Sequence, residues 1–175
     1  MSKTATAPNE LYFVTLTIVN WIDIFTRREY SDFIINNLAY CQKSKNLEIY
    51  EYVLMTNHLH MICRGDDKPL SDILRDFKTF TSKELFKLIK NNPNESRRKW
   101  MIPLFEKAGK KNELNKNHQI WKNNNWPTLL FNNEIIDQKT NYIHMNPVKA
   151  GFVQEPYEYY YSSANPDSPL KVFEF

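Results

Sequence analysis

Glycine is nearly missing: the 175 residues hold three, beside nine prolines, which argues against long flexible linkers. Cysteine is as scarce. Cys41 and Cys63 fall in a helix-like and a strand-like stretch, where they read as small buried hydrophobes, and nothing suggests a disulfide framework. No apolar run approaches the ~20 residues that a bilayer span needs, and no signal-peptide pattern opens the chain. These absences lead to the expectation of a soluble cytoplasmic protein with no membrane partner. Disorder is disfavoured as well, because hydrophobic residues make up 42% and aromatics 14% of the sequence. A single domain over residues 1–175, large enough to bury a substantial core, is the expectation from length.

Net charge is only +3, but it is unevenly spread. Between Lys83 and Lys122 stand eleven Lys/Arg and four Glu, a net +7 that leaves −4 for the rest. This stretch also carries Trp100 and Trp121, with Trp126 just beyond it, a combination suited to a phosphate backbone with bases stacked on aromatic rings. A solvated helix face would give the same charge count, so charge alone does not decide.

The hydrophobic pattern orders the elements as β-α-β-β-α-(α)-β-α. Leu11–Trp21 reads as a first strand, Arg28–Lys45 as a helix, Leu47–Met55 as a second strand and His58–Arg64 as a third, joined by the short Thr56-Asn57 turn. Pro69 opens a long helix that ends at Asn91-Asn92-Pro93. A further helix around Trp100–Phe105, a Lys/Asn-rich loop from Gly109 to Asn117 and a short fourth strand at Gln119–Lys122 follow. Glu134–Asn146 is helical until Pro147 stops it, and the tail from Pro156 is extended and packs on the body. The expected fold is α+β: a ferredoxin-like antiparallel sheet with helices on one side. A basic insertion spans about 92–118 and the tail about 156–175.

The richest segment is Asn57-His58-Leu59-His60-Met61-Ile62-Cys63, which holds two of the four histidines. A strand alternates its side chains, so His58 and His60 point the same way and are placed to chelate one divalent cation. Two imidazoles seldom complete a metal site. On the last helix Tyr142 and Asn146 lie four residues apart on one face. Asn146 can offer a carbonyl oxygen to Mg²⁺ or Mn²⁺, with the Tyr142 phenol beside that ion, while His144 points away. The plainer readings are a histidine pair on an exposed sheet face and a core aromatic among ten tyrosines. Tyr157, Tyr159, Tyr160 and Tyr161 are assigned to packing.

In these motifs the chain resembles the single-tyrosine HUH transposases, and among them the REP-associated tyrosine transposases. The resembling pieces are Asn57-His58-Leu59-His60, then about eighty residues later Tyr142-Ile143-His144-Met145-Asn146-Pro147-Val148-Lys149-Ala150-Gly151-Phe152-Val153, and Tyr157-Glu158-Tyr159-Tyr160-Tyr161-Ser162-Ser163. The match as a whole runs from about Leu11 to Ser163, most of the chain. The resemblance implies an HUH endonuclease-like fold and binding of single-stranded or hairpin DNA. It implies His58, His60 and Asn146 as ligands of a divalent metal (Mg²⁺ or Mn²⁺). Tyr142 would be the nucleophile, leaving a 5′-phosphotyrosine and a free 3′-OH for a second strand transfer. Many insertion-sequence relatives carry Gln where Asn146 stands, on a helix that can swap between subunits. Action in cis or across a homodimer therefore stays open. Lys149, Arg97, Arg98, Lys110, Lys111 and Trp121 are candidate DNA contacts.

Imidazoles must be neutral to ligate, so activity is expected to fall below pH ~6. Two rival functions remain: a domesticated hairpin-DNA-binding protein without cleavage activity, and an unrelated metal-dependent hydrolase. Four intact site residues favour the strand-transferring enzyme over the first rival. The second would need a nearby carboxylate or third histidine that the sequence does not nominate.

Overall fold

Alternating β-branched and aromatic residues build β1 (Tyr12–Thr17), β2 (Leu47–Leu54) and β3 (His58–Gly65), with a two-residue β4 (Thr128–Leu129). In the computed structural model, which describes residues 6–111 and 117–175, they form one antiparallel sheet in the order β2-β3-β1-β4. The helices are α1 (Arg28–Ser44), α2 (Leu70–Asn91), α3 (Arg98–Lys110) and α4 (Asn133–Lys149). The element order is the one the sequence predicts, and both histidines lie on a central strand.

The pleat divides the core in two. Val14, Leu16, Leu59, Met61 and Cys63 face α1 and α2, whose Ile34, Leu38, Ile73 and Leu74 bury against them. On the opposite face Phe13, Val53 and Ile62 meet Ile143 of α4. The helices therefore cover both faces, not one side as the pattern suggested. Apolar periodicity reveals which stripe of a helix is buried but not which face of a two-faced sheet receives it. A bulge between Ile49 and Glu51 shifts the register of β2, so Tyr50 joins the same cluster as Val53.

Three boundaries differ from expectation, the first being that the strand read as Leu11–Trp21 ends at Thr17 and gives way to a 3₁₀ turn at Val19–Trp21. Residues Gln119–Lys122 make one isolated bridge, Ile18 to Trp121, whereas the fourth strand is Thr128–Leu129, paired with Tyr12 and Phe13. Pro147 does not stop α4. Its buried ring removes one ladder bond near the end, and the helix runs on to Lys149. The stop is Gly151, with φ +76°: its N–H donates to Val148 O (2.9 Å) and Phe152 N–H to Pro147 O (3.0 Å), a Schellman closure that favours glycine. Asn132 caps the other end by accepting from the Ile135 N–H at 2.9 Å.

The tail packs on the body, as expected, after a 3₁₀ turn at Pro156–Glu158. Leu54 N–H donates to Tyr161 O (2.8 Å), Ser163 N–H to Tyr52 O (3.0 Å) and Phe173 N–H to Ile49 O (2.8 Å). These bonds satisfy the outer edge of β2, which would otherwise be open to pairing with another chain. Most of the loop expected at Gly109–Asn117 lies outside the described residues.

Candidate active site

Strand pairing sets the floor of the site. Thr15 of β1 stands opposite His60, and Thr17 opposite His58. Thr15 Oγ1 lies 2.8 Å from His60 Nδ1, and the Phe13 ring stacks on His60 at 5.5 Å. The two imidazoles are 4.7 Å apart, centroid to centroid. α4 crosses this face and delivers Tyr142, whose ring is 5.2 Å from His60 and 5.8 Å from Phe13. Asn146, one turn on, is close enough to the His58 ring to raise its pKa. Tyr142 is 40% exposed, so its phenol is open to a ligand, and it meets His60 within one and the same chain. Lys139, on the same stripe of α4, holds its Nζ 4.7 Å from the Phe13 ring and 5.8 Å from that of Tyr142.

Neighbouring side chains fix which nitrogens are free. Asn57 Nδ2 donates to Asp23 Oδ1 (2.8 Å) and to Trp21 O (3.2 Å), which leaves its Oδ1 to accept. His58 Nδ1–H therefore donates to Asn57 Oδ1 at 2.7 Å. His60 Nδ1–H can donate to Thr15 Oγ1 in the same way. Both rings then keep Nε2 unprotonated for a ligand, the usual arrangement where a second polar partner orients a metal-binding histidine. Asp23 is itself tied to the turn by Thr56 Oγ1–H at 2.6 Å.

Burial disfavours the charged imidazoles. The pKa of His58 is lowered by burial, against the raising influence of Asn146 and the Asp23 charge. That of His60, 5% exposed, is pushed down to about 3 by burial, with help from His58 and Lys139. The His60 ring thus stays neutral well below the ~6 expected of an unperturbed imidazole, and the His58 ring is shifted in the same direction.

No group of three His, Cys, Asp or Glu that could hold a metal stands together among the described residues. Two oriented imidazoles and an amide still fit a divalent ion, if a phosphate supplies the missing negative charge. His144 is directed elsewhere: its Nε2 pairs with Glu51 Oε2 at 2.7 Å.

The candidate DNA contacts fare unevenly. Trp121 is 3% exposed and its Nε1–H donates to Thr81 Oγ1, so it cannot stack a base; an indole in a basic segment looks the same in sequence whether it faces in or out. Arg97 is committed to the buried carboxylate of Glu95, to Asp23 O (2.7 Å) and to Thr26 Oγ1 (3.0 Å). Arg98 donates to Asn92 O (3.1 Å) at the end of α2. Lys110 and Lys111 are exposed at the end of α3, whose Met101 and Phe105 pack into the core on the α1/α2 side of the sheet, not the histidine side. Lys149 is exposed, and its spacing places it on the stripe of Tyr142 and Asn146. Thr15, Asp23 and Asn57 were not singled out from sequence. Asn57 adjoins His58, but Thr15 and Asp23 become visible only through strand register and loop closure.

A family model described as transposase, IS200 like, matches residues 12–108, more than half of the chain, a segment that contains both histidines and ends before α4. A solved structure of a REP-associated tyrosine transposase bound to a REP hairpin shares the fold with a TM-score of 0.65 at 18% identity, over 100% of this chain and 94% of that one. No curated protein matches the chain.

Proposed function

Because the chain belongs to the family of IS200-like transposases, we propose that it cuts and rejoins single-stranded DNA next to a hairpin. In this reading Tyr142 is the nucleophile, and His58, His60 and Asn146 hold one divalent ion, Mg²⁺ or Mn²⁺. The observation that carries it is the meeting of Tyr142 with His60 inside one chain, across the sheet face where both imidazoles present Nε2. The hairpin as substrate is suggested by the DNA bound to the fold relative.

The chemistry is a transesterification. The Tyr142 phenol oxygen forms a bond to the scissile phosphorus, the bond from phosphorus to the 3′ oxygen breaks, the phenol loses its proton, and the departing oxygen gains one as a 3′-OH. A bound cation would supply charge stabilisation to the transferring phosphate. An incoming 3′-OH then reverses the step and releases the tyrosine, so phosphodiester linkages are conserved and no nucleotide cofactor is required. The chain's own residues orient the participants. Asn57 and Thr15 hold the imidazoles in one tautomer, α4 sets the phenol at the rim, and Lys139 keeps a positive charge beside the phenol ring.

The test is incubation with labelled hairpin DNA carrying an unpaired flank, with Mg²⁺ or Mn²⁺, followed by a denaturing gel. A covalent protein–DNA band that disappears in Tyr142→Phe is the expected result. Tight binding without any such band would identify a hairpin-binding protein that does not cut.

A further inference from the structure

We propose that Trp21 seats an unpaired nucleobase beside the histidine pair, its indole stacking on the base while Lys122 meets the adjoining phosphate; the proposal rests on the single-stranded-DNA reading above. The first observation is backbone conformation. Asn20 and Trp21 are consecutive left-handed residues, with φ of 56° and 55°. A bulky aromatic rarely adopts that region, and such outliers concentrate at functional sites.

The surrounding contacts hold the indole outward. Trp21 N–H donates to Ile18 O (3.1 Å), Val19 N–H to Ile120 O (2.8 Å) and Lys122 N–H to Thr17 O (2.7 Å). Asn57, which orients His58, also donates to Trp21 O. Lys78, half-buried, fastens the neighbouring loop by donating to Lys122 O (2.5 Å), Asn123 O (3.2 Å) and Asn125 Oδ1 (2.8 Å). The result is a ring 54% exposed on a fixed backbone, whereas Trp121 close by is buried at 3%. A tryptophan serving the core would resemble the second, not the first.

Position and charge name the occupant. The Trp21 ring lies 5.9 Å from His58, with the two planes at 78°, so a base resting on it would adjoin a phosphate held at the histidines. Lys122 Nζ lies over one face of the indole, 4.1 Å from its centroid, so a base would stack on the other face. A flat apolar surface beside a cation complements a nucleotide, which joins a flat base to an anionic phosphate. Stacking of this kind tolerates any base sequence, and it needs a base whose face is free, which duplex DNA does not offer. The site would thus select unpaired strand at the point of cutting.

Binding is measured on the full chain in EDTA, where nothing is cut, by fluorescence anisotropy with two labelled DNA hairpins. One carries an unpaired flank of mixed sequence and the other is blunt. Trp21→Gly removes the ring and suits the positive φ, so its melting temperature should not fall. Its affinity for the flanked hairpin should drop by about 5- to 150-fold, with the blunt hairpin unchanged and Trp21→Phe close to wild type. Flanked-hairpin affinity within twofold of wild type in Trp21→Gly overturns the proposal. So does an equal loss on both hairpins accompanied by a lower melting temperature, which would mark the ring as packing. Wild-type protein that ignores both DNAs overturns the broader DNA reading as well.

Discussion

Replacing Thr15 with valine tests the orientation of His60 while leaving shape almost unchanged. The hydroxyl sits 2.8 Å from His60 Nδ1, on a ring that is 5% exposed. Thr15→Val leaves that nitrogen buried without its partner, a cost of about 1–3 kcal/mol. Spread over a chain of this size, the loss corresponds to a fall in Tm of about 2–4 °C for each kcal/mol. The ring is also released from the tautomer that keeps Nε2 open. Loss of such an orienting contact weakens metal affinity by about 10- to 100-fold. Both quantities can be read without catalysis, Tm by differential scanning calorimetry of the metal-free protein and affinity by Mn²⁺ titration followed by electron paramagnetic resonance. Thr15→Ser, which keeps the hydroxyl, should restore most of the affinity. If Thr15→Val bound Mn²⁺ as tightly as wild type, the assignment of Nε2 of His60 to the metal would be wrong.

The pH response follows from the same burial. His60 titrates at about 3 in the folded protein, against an unfolded value near 6.5. The unfolded chain therefore takes up the proton first as pH falls below 6.5. The stability of the metal-free protein is full above that value and declines toward 3, by about 2 kcal/mol at pH 5 from this residue. Urea unfolding at pH 7 and pH 5 should show the decline in wild type and a smaller one in His60→Gln; equal declines would contradict the shift. Glu95 gives a prediction far from the chemistry. Its carboxylate has no exposed surface and pairs with Arg27 (2.7 Å) and Arg97 (2.9 Å), which hold its pKa at about 2. Removing its charge in Glu95→Gln leaves two partly exposed guanidinium groups without their counter-ion, at a cost of about 2–4 kcal/mol. The denaturant midpoint should fall accordingly, and an unchanged midpoint would show that the Asp23 loop is held by other means.

Much of the site was legible because its parts are local in the chain. The spacing of His58 and His60 fixes a common face in any strand, and the spacing of Tyr142 and Asn146 fixes a common face in any helix. The element order was legible too, since runs of period two and period 3.6 are properties of short windows. The titration range of His60 was not legible, because an unperturbed imidazole value says nothing of a ring that Phe13, Tyr142 and β1 bury. Trp121 was misjudged for the same reason: a residue type implies a chemistry, but burial determines whether solvent or DNA can reach it.

The sequence by itself determined which side chains could cooperate within each segment: the histidine pair on one strand, the phenol and amide on one helix. Only the tertiary structure decided that α4 crosses the histidine face rather than joining α1 and α2, because a sheet with two apolar faces accepts a helix on either. It also decided that Thr15 stands opposite His60, that Asp23 reaches Asn57, and that Trp21 rather than Trp121 faces outward. These pairings depend on strand register and loop closure between residues far apart in the chain. No local pattern encodes such contacts, since they are fixed only when the whole chain packs.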